Sequence, residues 1–295
     1  MRRLHLVDGT YELFRAHFSK RPARTAPDGA DVKATLGMLS SLLQLLADED
    51  EAVTHLAVAF DNPITSWRND RFDGYKDGAD TDPALLAQFD LVERGVAALG
   101  VTVWSMRDHE ADDALATAAV RFADDVDQVR ILTPDKDLGQ VVRGQRIVQV
   151  DRGRDRLYDE AGVRARSGVA PASVPDLLAL VGDTADGIPG LPGFGTKSAA
   201  AVLTRYPHLE DIPADAEAWD VPVRGAARLA ATLAERRDDA LLYRELATLD
   251  HDVALTETLA DLAWEGVPRG RFTAFCDEVD AGTLRDRPQR WVDDA

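Results

Sequence analysis

The chain has 295 residues, a formal net charge of −18, 45% hydrophobic and 29% charged residues, and one cysteine, Cys276. These proportions describe a globular protein of one large domain or two smaller ones, and a lone cysteine excludes an internal disulfide and fits a reducing cytoplasm. No apolar run approaches the roughly 18 residues of a membrane span, and the Met1–Val7 start is far too short for a signal peptide, so no membrane role and a cytoplasmic location are expected. The acidity counts against a nucleic-acid partner, yet residues 1–33 are locally basic: Arg2, Arg3, Arg15, Lys20, Arg21, Arg24 and Lys33 stand against Asp8, Glu12, Asp28 and Asp31.

Leu4–Val7 reads as a buried strand ending at Asp8-Gly9, followed by a helix from Tyr11 to about Phe18 and a basic loop over 19–33. Leu36, Leu39, Leu42, Leu43 and Leu46 repeat at helical spacing. Thr54–Phe60 is a nearly continuous apolar strand, as buried parallel strands are, and ends on Asp61. Residues 62–83 are polar and Gly/Pro-punctuated, a loop or marginal helix, before a helix from Pro83 to about Leu99. A strand over Leu99–Trp104, a helix over Ala114–Phe122 and a strand over Gln128–Leu132 follow, then short strands or a hairpin over Arg146–Val150 and Asp155–Tyr158. Strands alternating with helices predict an α/β fold, a mostly parallel central sheet flanked by helices. A boundary is expected near Gly168–Pro175, after which the pattern is helical almost to the end, with loops at Gly182–Gly195 and Pro207–Pro222.

Chemistry concentrates where strands stop. His109-Glu110-Ala111-Asp112-Asp113 follows one strand, and Asp8, Asp61, and Asp135 with Asp137 follow three others. Strand ends in a parallel sheet gather at the edge where such folds bind ligands. Carboxylates side by side need a compensating cation, and a hard ion with oxygen ligands, Mg²⁺ or Mn²⁺, suits them. Taken singly, each acid is equally a helix cap or a first-turn residue; the recurrence favours a metal site. Two such ions roughly 4 Å apart are suited to phosphate-ester hydrolysis, and no Gly-x-x-x-x-Gly-Lys-Ser/Thr loop points to a P-loop instead.

The string Val181-Gly182-Asp183-Thr184-Ala185-Asp186-Gly187-Ile188-Pro189-Gly190-Leu191-Pro192-Gly193-Phe194-Gly195-Thr196-Lys197 adds two acids three apart. Gly193 and Gly195 would let backbone amides approach a phosphate, with Lys197 and a helix N-terminus behind them. This string resembles the helix-three-turn-helix element of the flap endonuclease / 5′-3′ exonuclease family, which includes the N-terminal nuclease domain of bacterial DNA polymerase I. The likeness extends from Leu6-Val7-Asp8-Gly9 through Phe60-Asp61, Glu110-Ala111-Asp112-Asp113 and Thr133-Pro134-Asp135-Lys136-Asp137-Leu138 to about Arg287.

The resemblance implies a PIN-like nuclease core over 1–167 with an arch at about 62–83, a DNA-binding helix-three-turn-helix subdomain over 168–250, and a helical extension over 251–295 packing on the core. It implies two Mg²⁺ or Mn²⁺ ions, a tighter one at Asp8, Asp61, Glu110, Asp112 and Asp113 and a looser one at Asp135, Asp137, Asp183 and Asp186. A K⁺ ion is implied at the turn-rich element, where Gly193, Gly195 and Lys197 would contact duplex phosphates. Arg15 and Lys76 would act at the scissile phosphate, Arg68 would steer a 5′ strand, and Tyr75 would contact DNA. The family usually carries a small pair and an arginine after Tyr-Lys. Here Asp77-Gly78-Ala79-Asp80 loses that cation and gains two acids, so a weaker grip on the 5′ strand is expected.

The implied activity is a stand-alone, monomeric, metal-dependent structure-specific 5′ nuclease acting on flaps, nicked or branched duplexes, or RNA–DNA primers. The alternative is a catalytically weak DNA-junction binder, against which the full set of acids argues. His109 and Cys276 are read as structural, and Trp104 and Trp264 as core.

Overall fold

Four apolar segments build a parallel sheet: β1 (Arg3–Asp8), β2 (His55–Asp61), β3 (Thr102–Met106) and β4 (Gln128–Leu132). The structure is a computed structural model that describes residues 1–294 of the chain. β1 pairs with β2 through Val7 and Val58 and with β4 through Leu6 and Ile131, and β2 pairs with β3 through Phe60 and Ser105. Leu4, Leu6, Val7, Ala57, Val58, Phe60 and Ile131 are wholly buried, which is why these strands lack polar alternation. They belong to the first of two units, formed by residues 1–66, 78–133 and those from His251 onward.

Helices flank this sheet. α1 (Gly9–His17) and α2 (Lys33–Ala47) pack together, and α1 lies on β2. Glycine is required at position 9, because a Cβ there would sit 2.6 Å from Ala59 O and the Phe60 ring. The expected helix from Pro83 to Leu99 is broken into α4 (Pro83–Leu86) and α5 (Phe89–Ala98). The break falls at Gln88, which is 1% exposed. Its Oε1 accepts from Ala34 N and Thr35 N, both at 3.1 Å, and so satisfies amides that the first turn of α2 leaves without helical partners. α6 (Ala111–Phe122) lies against all four strands, and its buried alanines at 111, 114, 116, 118 and 119 allow that close approach.

The stretch after His251 departs from the helical expectation. Until α12 (Arg269–Glu278) and α13 (Gly282–Arg285) the described residues hold a short 3₁₀ turn at Leu259–Leu262 and a two-residue strand at Val267–Pro268. Side chains of the unit satisfy its backbone instead. Arg121 donates to Leu255 O at 2.8 Å and Val253 O at 3.1 Å, and Val253 N donates to Thr117 Oγ1 at 3.2 Å. Trp104 and Trp264 are buried, their indole N–H groups held by Glu257 and by Leu99 O.

The second unit comprises Trp67–Asp77 and Pro134–Asp250. It holds α3 (Trp67–Arg71), the antiparallel hairpin β5 (Ile147–Asp151) and β6 (Arg156–Tyr158), and helices α7 (Glu160–Ser167), α8 (Val174–Val181), α9 (Thr196–Arg205), α10 (Ala226–Glu235) and α11 (Arg237–Ala247). α8 packs on both α9 and α11 around Leu177, Leu178, Leu203, Leu229, Leu233 and Leu246. After α8 the chain doubles back. Asp183 and Ile188 exchange backbone hydrogen bonds of 2.8 Å, and Leu191 N returns to Leu180 O at 2.8 Å. Gly187, at φ +75°, leaves no room for a Cβ because Gly74 O occupies that space. Lys76 N then donates to Asp186 O at 3.1 Å, which fixes residues 74–76 against the 183–190 turn. Among the described residues no helix is long and apolar enough to cross a membrane.

Candidate functional site

In the first unit the acids sit at strand ends and at the start of α6. Asp8 accepts from Tyr11 N through Oδ1 and from Thr133 Oγ1 through Oδ2, both at 2.8 Å. Asp61 accepts from Ala111 N at 2.7 Å, Glu110 from Ser66 Oγ at 2.9 Å, and Asp113 from Glu110 N at 3.0 Å. The capping explanation therefore holds for two of these carboxylates: Asp8 starts α1, and Asp113, wholly buried, closes the first turn of α6. Asp112 follows in that first turn. On α1, Arg15 bonds to Glu12 and to Ser41 Oγ (3.1 Å). Burial pulls its pKa down, and the bond to Glu12 more than restores it.

In the second unit four acids converge. Ligand atoms of Asp137, Asp183 and Asp186 all lie within 4.8 Å of one another, the one such group of three among the described residues. Asp135 joins them by accepting from Asp137 N at 3.0 Å. Asp137 is 5% exposed, and its buried Oδ1 has no hydrogen-bond partner in the structure. Burial, then the charges of Asp135, Asp186 and Asp183, push its pKa well above the ordinary carboxylate range. An orphaned oxygen among three further carboxylates is what a hard divalent cation would satisfy, so the donor set fits Mg²⁺-class chemistry.

Two ammonium groups partly answer that charge. Lys76 Nζ lies 2.9 Å from Asp186 Oδ1, and Lys136 Nζ lies 2.7 Å from Asp183 Oδ2. Burial lowers the Lys136 pKa, but its bond to Asp183 and the charges of Asp183, Asp137 and Asp135 raise it overall. Sequence reasoning missed Lys136, although its place between two acids in Asp135-Lys136-Asp137 was a signal.

The structure corrects two expectations. Arg68, expected to steer a strand, is 1% exposed, with Nε donating to Leu246 O (2.8 Å) and Nη2 to Thr248 O (3.0 Å). A guanidinium bonded to carbonyls in this way ties α3 to the end of α11 and cannot reach outward. Tyr75, expected to contact DNA, is 5% exposed and belongs to the core around α8 and α11. At the turn before α9, Gly193 (φ +91°) and Lys197 are exposed. The Gly195 amide, however, donates to Ser198 Oγ at 3.0 Å and so is engaged within the turn.

Residues 3–168 match the model of the 5′-3′ exonuclease N-terminal resolvase-like domain, and residues 169–269 match the 5′-3′ exonuclease C-terminal SAM fold. Over 282 residues the chain is 31% identical to DNA polymerase I of Bacillus caldotenax, covering 94% of this chain and 31% of that protein. It is 35% identical over 304 residues to DNA polymerase I of Pseudomonas aeruginosa, covering 99% of this chain and 31% of that one. The chain thus spans about a third of these relatives' length. A phage T5 5′-exonuclease structure with bound zinc superposes with a TM-score of 0.66 at 18% identity, covering 95% and 99% of the two chains. Human GEN1 in complex with Holliday junction DNA gives 0.60 at 14%, covering 94% and 68%. At these identities the two structures establish the fold.

Proposed function

Because the chain belongs to the 5′-3′ exonuclease family, we propose that it is a metal-dependent, structure-specific 5′ nuclease that hydrolyses phosphodiesters at 5′ flaps, nicks and branched duplexes. The observation that carries this reading is the Asp137–Asp183–Asp186 group with its orphaned Asp137 oxygen. Those three, with Asp135, would hold one Mg²⁺ or Mn²⁺, and Asp8, Asp61, Glu110, Asp112 and Asp113 a second. When bound, the ions would supply Lewis acidity toward the scissile phosphate and its attacking water.

The chain's own residues do the rest. Lys76, freed from Asp186, brings a positive charge to the phosphate, and Arg15 brings another from α1. Asp135 orients Asp137 through the latter's backbone amide. Residues 168–250 act as the duplex-binding subdomain, with Gly193 and Lys197 at the phosphates and K⁺ at the glycine-rich turn, whose backbone has positive φ at Gly182, Gly187, Gly190 and Gly193. RNA–DNA hybrids fall within the same phosphate-directed recognition.

The test is cleavage of 5′-labelled flap, nicked and RNA-primed duplexes with Mg²⁺ or Mn²⁺, by the protein and by Asp183→Asn. Metal-dependent cutting near the junction, reduced at least about a thousandfold in the variant, is expected. Tight flap binding without cutting in either metal would replace this reading with that of a junction binder.

A further inference from the structure

A second charged site lies in the first unit and shares no residue with the acids. A cleft of about 410 Å³ is bounded by the loop after α1, by α2 and by α13 with the residues after it. Arg21, Arg24, Lys33 and Arg287 line it, and no carboxylate does. In a chain of net charge −18, four converging cations call for a reason.

Their bonding supplies one. Lys33 Nζ donates to His17 O (2.6 Å) and Ser19 O (2.9 Å), Arg24 to Asp280 O (3.1 Å), and Arg287 to Ser40 Oγ (2.6 Å). Carbonyls and a hydroxyl fix these groups without neutralising them. Among the described residues none of the four pairs with a carboxylate, and the Arg21 guanidinium has no hydrogen-bond partner. The nearby acids of the loop are occupied elsewhere: Asp28 accepts from Ala30 N and Asp31 from Lys33 N. Because Arg287 donates to Ser40 Oγ, the hydroxyl proton of Ser40 can point to a further acceptor.

The lining also includes Leu36, Leu284 and Pro22, an apolar wall beside the charges. Un-neutralised, pre-positioned cations recognise a phosphate, an apolar wall takes a base or sugar, and the volume falls in the range of small-ligand sites. We propose that this cleft binds a nucleoside monophosphate, its phosphate held by Arg21, Arg287 and Lys33 and its nucleoside against Leu36 and Leu284. The site stands independently of the nuclease reading.

Isothermal titration in EDTA, so that no metal bridges the ligand to the acids, tests this with deoxyadenosine 5′-monophosphate. Deoxyadenosine, inorganic phosphate and an unphosphorylated tetranucleotide d(A)₄ are the comparison ligands. The monophosphate should bind at least about tenfold more tightly than phosphate or deoxyadenosine. Arg21→Gln should weaken it about tenfold, and Arg21→Gln/Arg287→Gln about a hundredfold. Lys197→Gln should leave it unchanged. Because Arg21 anchors no other group, its single variant keeps the test sound if loss of the Arg287–Ser40 bond disturbs the fold. Undiminished binding by Arg21→Gln, or no heat at about 5 mM monophosphate, would overturn the proposal. So would d(A)₄ binding that depends on Arg21 while the monophosphate fails, which would make the source of the phosphate a strand.

Discussion

Replacing Lys136 by Met would separate the two roles that a cation plays at the four-acid group. Its Nζ lies 2.7 Å from Asp183 Oδ2, a carboxylate 9% exposed, while the lysine side chain is 50% exposed. Bare Coulomb attraction at that distance is about 6 kcal/mol with an effective dielectric of about 20. Solvent screening of the half-exposed partner reduces it, and a net worth of about 1–2 kcal/mol remains. The metal-free variant should therefore melt about 2–3 °C lower than the parent. In Mn²⁺ the sign reverses for binding. The ion no longer displaces an ammonium from Asp183, so its affinity should rise about 5- to 30-fold, the same free energy seen from the other side. Differential scanning calorimetry in EDTA and calorimetric Mn²⁺ titration read the two effects without any activity assay. An unchanged melting point in EDTA, or weaker Mn²⁺ binding, would refute the idea that Lys136 stands in for metal.

Three further outcomes are expected. Glu210 bonds to Arg244 at 2.6 Å, and that bond holds its pKa down to about 2 from the usual 4.5. A carboxyl whose folded pKa is depressed contributes stability above its unfolded pKa, and loses it as pH falls through the folded one. Discounted because the side chain is 53% exposed, Glu210→Gln should cost about 1 kcal/mol at pH 7, the gap from the parent closing between about pH 4.5 and 2 in urea melts. Ala79→Arg should tighten binding of a 5′ single strand and steepen the salt dependence by about 0.7 in log–log slope; an unchanged slope would show that position 79 does not meet the strand. Gly187→Ala forces a Cβ into Gly74 O at positive φ and should cost roughly 3 kcal/mol or more, read as a lowered urea midpoint.

What the sequence made legible has a common physical source: features imposed by the backbone or by elementary charge. Buried parallel strands must be apolar throughout, so β1, β2 and β4 stood out as runs. Acids at their ends were visible because a strand end is local. Glycines at 182, 187, 190 and 193 were visible because a tight turn needs left-handed backbone. What remained hidden depends on partners far along the chain. Arg68 looks like any loop cation until Leu246 and Thr248 present their carbonyls to it. Tyr75 looks like a DNA contact until the core around α8 closes over it. The helix break at Gln88 falls where residues 34 and 35 find an acceptor. The cationic cleft joins residues 21–40 to residues 283–287, and no local pattern joins those segments.

The same distinction between local and assembled charge answers the objection raised by a net charge of −18. Taken as a sum, that charge repels a polyanion. In the structure part of it is committed: the buried acids Asp8, Asp113 and Asp137 face inward to amides, hydroxyls or one another, where they cannot present a uniform field to a ligand. Cations are distributed differently. Lys76 and Lys136 sit among acids, whereas Arg24, Lys33 and Arg287 are held by carbonyls and a hydroxyl with their charge intact, and Arg21 lines the same cleft. Position within the fold, and not the total, decides which charges a phosphate meets. An acidic protein can therefore present cationic contacts to nucleic acid and a separate cationic cleft to a nucleotide.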